Sequence, residues 1–141
     1  MGNRAVVVFK PDDLGVYLHW NGGRDSIEAF LAYCEMRGFR EGSYGVARFC
    51  QVVGNYFGGD LSIGIESVFG KNYTEFDPGD NGVYVVLDWH IAARFHVPEK
   101  GEQKVHDLAS LMIDVDSCQP EDDRLGEEKI RTWVKENGRS A

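Results

Sequence analysis

Gly15-Val-Tyr-Leu-His-Trp-Asn-Gly-Gly-Arg-Asp-Ser-Ile-Glu-Ala-Phe-Leu-Ala-Tyr-Cys34 decides how this chain is read. Its first six residues are rich in β-formers, and Asn21-Gly22-Gly23 then breaks the run. Beyond the break the apolar period changes from two to that of a helix, at Ile27, Phe30, Leu31 and Cys34. Asp25 and Glu28 have the spacing of a capping box, and Gly38 after Arg37 is a stop signal. A strand followed directly by a helix is thereby predicted, with positive φ expected at Gly22 or Gly23.

Working outward, Ala5-Val-Val-Val-Phe9 is a short apolar strand that ends at Lys10-Pro-Asp-Asp13 and pairs with the strand after it as a hairpin. Ser43 opens a second helix with the stripe Val46, Phe49/Cys50, Val53, Phe57, closed by Gly58-Gly59. Leu61–Ser67 alternates as a strand, residues 69–82 form the longest loop, and Val83–Leu87 pairs with Ile91–Val97 across Asp88-Trp89. A third helix has the stripe Val105, Leu108/Ala109, Leu111/Met112, Val115. A short charged helix follows from Glu127 to Glu136, with 136–141 as a frayed tail. The expected fold is a single α+β domain over 1–141. It has a mostly antiparallel sheet of about five strands and three or four helices.

The 141 residues are 43% hydrophobic and 27% charged, which is globular usage and excludes intrinsic disorder. No apolar run is long enough for a membrane span, and the five-residue run before Lys10 is too short for a signal peptide. Met1-Gly2 is not a myristoylation start, because position 6 is Val. Cys34, Cys50 and Cys118 lack metal-type spacing and read as reduced thiols, so a cytoplasmic location is expected. The net charge is −8. Residues 1–60 hold six basic against seven acidic residues, whereas 61–141 hold nine against sixteen. The second half would repel phosphates, so direct duplex nucleic-acid binding is not expected, whereas the first half could host an anion.

The candidate ligand-binding residues cluster at the Gly-Gly break. A helix start with free N–H groups attracts an anion, and Arg24 could add a two-point contact. His19 and Asn21 offer hydrogen bonds, Trp20 a stacking surface, and Gly22 and Gly23 close approach. Arg48, Gln51 and Asn55 share one side of the second helix. If Arg48 and Arg24 converge, the set His19, Trp20, Asn21, Gly22, Gly23, Arg24, Arg48 and Asn55 forms a pocket for a small anionic, nucleotide-like ligand. The competing reading is a tight turn with Trp20 in the core and an exposed polar helix face.

Other chemistry has little support. Cys50 with His19 would need a reactive thiol, but Cys50 falls in an apolar stripe, so Cys34 and Cys50 are expected to be buried. His90 and His96 share a strand face with Asp88, yet lie roughly 20 Å apart along it, too far for one metal. His106 reads as a solvated residue. Asp114, Asp116, Glu121, Asp122 and Asp123 read as a solvated acidic face without calcium-loop spacing. No Walker, Rossmann, nucleophile-elbow or zinc motif occurs, so no catalytic residue, metal or cofactor is assigned, and the chain reads as a binding protein rather than an enzyme.

The strand ending Tyr17-Leu18-His19-Trp20, followed by Asn21-Gly22, resembles an element of small uncharacterised proteins of bacteriophages and mobile elements. The likeness covers residues 14–31, and more loosely Tyr44 to Gly59. It implies an accessory role against a host system, such as a sequestering protein or host-defence inhibitor. The expected partners are a small anionic ligand or a host defence protein, and exposed aromatic residues in 69–95 would favour a homo-oligomer. Two alternatives remain: an acidic inhibitor that mimics nucleic acid, of anti-CRISPR or anti-restriction type, and a small hydrolase.

Overall fold

The computed structural model describes residues 2–104 and 107–139. Its elements run β1 (Ala5–Phe9), β2 (Leu14–Leu18), α1 (Arg24–Met36), α2 (Ser43–Tyr56), β3 (Ile63–Ser67), β4 (Val83–Leu87), β5 (His90–Phe95), α3 (Leu108–Ser117), a single 3-10 turn (Glu121–Asp123) and α4 (Glu127–Asn137). This is the expected α+β order. Val105, the first residue of the expected third stripe, and His106 lie outside the described residues, and Asp107 caps α3 by accepting from the Ser110 N–H.

The five strands form one sheet in the order β3-β2-β1-β4-β5. Three pairings are antiparallel, but β1 and β4 run parallel, with Val6 opposite Val83. The sheet is therefore mixed, and β1 is its central strand. All five residues of β1 are buried, which is why it reads as a continuous apolar run. Val7 and Phe9 face the helices, whereas Val6 and Val8 join Val68 and Val83 on the far side. That far side is roofed by the 69–82 loop, which brings Tyr73 and Phe76 over it.

Every residue of α1 from Ile27 to Cys34 is buried, not only the expected stripe. The helix lies between the sheet and α3. Its sheet-facing Phe30 meets Phe49 and Tyr56 of α2 edge-on, at 6.4 and 5.4 Å. Its Tyr33 hydroxyl donates to Asp116 of α3 at 2.5 Å. Asp116 is thus a core residue, 4% exposed, rather than part of a solvated acidic face. Its carboxylate also accepts the Leu125 and Gly126 N–H groups at 2.8 and 3.0 Å.

Of the segment expected to fray, residues 136–139 are described and take up fixed positions. Helix α4 continues to Asn137, and the buried Arg139 guanidinium donates to Glu35 at 2.7 Å and to the Trp89 carbonyl. Residues 140 and 141 lie outside the described residues. No helix of the described residues is long and apolar enough to cross a membrane.

Candidate functional site

The Gly-Gly junction forms as strand, turn and helix, but by different means than expected. The positive φ belongs to Asn21, at 56°, and neither glycine has one. Gly22 is required by contact. Its N–H donates to the Asn3 carbonyl at 2.8 Å, and a Cβ there would lie 2.5 Å from that oxygen and 2.8 Å from the Ala5 Cβ. The Gly22 carbonyl accepts the Tyr84 hydroxyl at 2.7 Å. Gly23 is the N-cap with φ −67°, and no side chain caps the helix. The Asp25–Glu28 capping box does not form: Asp25 accepts the neighbouring Ser26 N–H at 2.8 Å, and Glu28 is buried.

Arg24 is already engaged at this helix start. Its guanidinium lies 3.1 Å from Glu102, and Arg94 pairs with the same carboxylate while lying 3.9 Å from the centre of the Tyr84 ring. A carboxylate of the chain itself thus faces the positive end of α1. His19 Nδ1 is 2.8 Å from the Tyr17 hydroxyl, and its ring stands perpendicular to Trp20 at 4.7 Å. Trp20 is 37% exposed, so it is a surface residue and not a core one. Asn21 reaches Ser26 at 3.4 Å.

Arg48 lies elsewhere. The short 37–42 connection folds α2 back antiparallel to α1, which sets the start of α1 against the end of α2. Arg48 meets the other end, near Arg37, and α1 spans roughly 20 Å between Arg24 and Arg37. The structure therefore does not bring Arg24 and Arg48 together.

Arg48, Gln51 and Asn55 do share one side of α2, and that side lines a cleft of about 160 Å³ whose other walls include Arg37, Phe39 and Gln119. Its floor is rigid. The Gln119 side chain donates to the Val52 and Val115 carbonyls at 3.1 and 3.0 Å and accepts from Asn55 at 2.9 Å. Asp123 also lines the cleft, and Arg37 and Arg48 bring positive charge to it. Arg48 donates to the Tyr44 hydroxyl at 2.8 Å and lies 4.2 Å from that ring's centre, with Arg40 at 4.9 Å from the same ring. Arg37 lies 5.2 Å from the Phe39 ring centre, and its nearest carboxylate is Asp123 at 3.9 Å. Among the described residues, neither Arg40 nor Arg48 has a carboxylate within 4.0 Å. Guanidinium groups held against aromatic rings keep their in-plane N–H donors free for a planar anion.

Sequence reasoning missed Arg37, Phe39 and Gln119. The signal for Arg37 was available, because a residue at the end of one helix faces the early turns of an antiparallel successor. Gln119, beyond α3, carried none.

The remaining reactive groups are held in structure. Among the described residues, no cluster of three His, Cys, Asp or Glu is placed to hold a metal. His90 pairs with Glu35 at 3.1 Å, and His96 lies 3.1 Å from the Tyr73 carbonyl; His106 is outside the described residues. All three cysteines are free, with Cys34 buried, Cys50 half-buried and Cys118 exposed. Burial pushes the Cys34 thiol up, and the Cys50 thiol up to about 11. An aromatic disulfide reagent at mildly alkaline pH is therefore expected to label Cys118 rapidly, Cys50 slowly and Cys34 only on unfolding. Native labelling of Cys34 at the Cys118 rate would contradict this packing.

No family model, no curated protein and no solved structure matches this chain.

Proposed function

We propose that the protein is a non-catalytic binding protein that holds a small anionic ligand in the cleft between α2 and the 119–123 segment, beside the end of α1. The observation that carries this reading is the arginine cluster of Arg37, Arg40 and Arg48. It sits in a chain of net charge −8, and two of its members lack any close carboxylate among the described residues. A phosphate or carboxylate supplies what these donors lack. The amides of Gln51 and Asn55 in the cleft, and the exposed Tyr44 ring beside Arg48, suit a flat, polar group attached to that anion, as in a nucleotide. Sequestering such a ligand is the accessory role against a host system that the phage-type resemblance implies.

The test is calorimetric titration with inorganic phosphate and with nucleoside mono- and diphosphates, alongside mass spectrometry of small molecules released on denaturation. Arg48→Ala is expected to weaken binding by about ten- to a hundredfold, since a charge-assisted hydrogen bond contributes roughly 1.5–3 kcal/mol. Arg48→Lys should recover part of the loss, and Arg24→Lys should leave affinity unchanged. Equal affinity in wild type, Arg37→Ala and Arg48→Ala would remove the cleft from the mechanism. A second reading, an acidic surface set against a basic partner, rests on the exposure of Glu121, Asp122 and Asp123 together on one turn. In that case neutralising the three would weaken partner association in a salt-dependent way.

A further inference from the structure

We propose that the open edge of β3 is an interface between two copies of this chain, closing a twofold dimer through a continuous ten-stranded sheet. This goes beyond the binding cleft and does not depend on it. The His19 N–H donates to the Ser62 carbonyl at 3.0 Å and the Val68 N–H to the Asp13 carbonyl at 2.8 Å. In this register the even-numbered residues of β3 bond to β2, so Ile63, Ile65 and Ser67 direct their N–H and C=O groups outward. An open row of this kind is a template for another strand.

The two sheet edges are not alike. At β5 the ladder is broken by a register shift between Val85 and Val86, and Arg94 is an inward-pointing charge, its side chain 7% exposed. Both are devices that discourage edge pairing. The β3 edge has neither: its register with β2 is regular and it contains no proline or lysine. It also displays Leu61, Ile65 and Phe69, which are 99%, 57% and 80% exposed.

The occupant follows from the spacing of these residues. In an antiparallel pair centred on Ile65, Ile65 meets the same residue of the second copy, and Ile63 meets Ser67. The one charged residue of the strand, Glu66, then meets Gly64. No like charges sit directly opposite, and the exposed Ile65 finds an apolar partner. The outward groups of Ile65 fall on the twofold axis, and Ile63 and Ser67 exchange bonds with Ser67 and Ile63 of the second copy. A self-complementary patch closes at two copies, and the guarded β5 edge prevents continuation into a filament.

The full chain is tested by light scattering and sedimentation velocity from low micromolar to submillimolar concentration. Wild type is expected at twice the 15.8 kDa of one chain, and Ile65→Lys at a single chain with its circular dichroism unchanged. A second readout does not require loss of pairing: Ile65→Cys in a Cys118→Ser background should oxidise to a covalent dimer. Hydrogen-bonded partners have Cα atoms about 5.5 Å apart, within disulfide range. A monomeric wild type throughout that range overturns the proposal. So does a dimer that survives Ile65→Lys and leaves Ile65→Cys uncrosslinked.

Discussion

Asp116→Ala is expected to lower the unfolding free energy by about 3–5 kcal/mol, among the largest losses any single side chain here would cause. The carboxylate is 4% exposed and serves donors from two directions. One is the Tyr33 hydroxyl of α1, and the others are the Leu125 and Gly126 N–H groups, which lead into α4. Alanine would leave those donors without an acceptor, and each orphaned buried group costs roughly 1–3 kcal/mol. Burial, followed by the Asp116 contact, pushes the Tyr33 phenol up, so it stays a neutral donor throughout the useful pH range. Asp116→Asn keeps the volume but turns one acceptor into a donor, and should fall between alanine and wild type. Urea unfolding followed by circular dichroism measures both, and a loss below about 1 kcal/mol for alanine would mean the carboxylate is not the joint between α1, α3 and α4.

Gly22→Ala is the second large effect, expected at about 3 kcal/mol from overpacking. The new methyl would press on the Asn3 carbonyl and the Ala5 Cβ, both belonging to a backbone fixed in the central sheet. Two controls separate contact from conformation. Gly38 has φ 76° with nothing within 4 Å, so alanine there should cost only the left-handed penalty of roughly 1–2 kcal/mol. At Gly23 the obstacle is the end of the flexible Gln103 side chain, which can move aside. Thermal unfolding of the three variants should rank Gly22→Ala as the least stable. If Gly38→Ala were worse, backbone freedom rather than close approach would explain the glycines of this region.

The switch of period at residues 20–27 was enough to place β2 and α1 and, with the turn signals, the order of all later elements. Pairing was less legible. The parallel contact between β1 and β4 leaves no local trace, because it joins segments that share no turn. Glycine pairs signal either positive φ or close approach, and that Gly22 needs the second, against the chain itself, is set by Asn3 and Ala5 across the fold. Asp116 lies among acids in sequence and looked solvated, but helical periodicity turns it toward Tyr33 while Asp114 stays exposed. At the candidate site, the shared side of Arg48, Gln51 and Asn55 followed from helical spacing alone. Arg24 failed as their companion because antiparallel helices bring opposite ends together, and because Glu102, far along the chain, already neutralises it.

The central strand has a consequence for the order in which the chain is made. β1 is synthesised first, yet its second neighbour, β4, begins at residue 83. On the ribosome, β1, β2, α1, α2 and β3 emerge while one side of β1 still lacks its partner strand. Val6 and Val8 then also wait for the 69–82 loop that roofs them. The nascent chain therefore carries an apolar strand with an open edge at the middle of its future sheet, the condition in which a holding chaperone or a wrong strand competes with folding. Release of a chain cut before residue 83 should yield an aggregating fragment rather than a smaller domain.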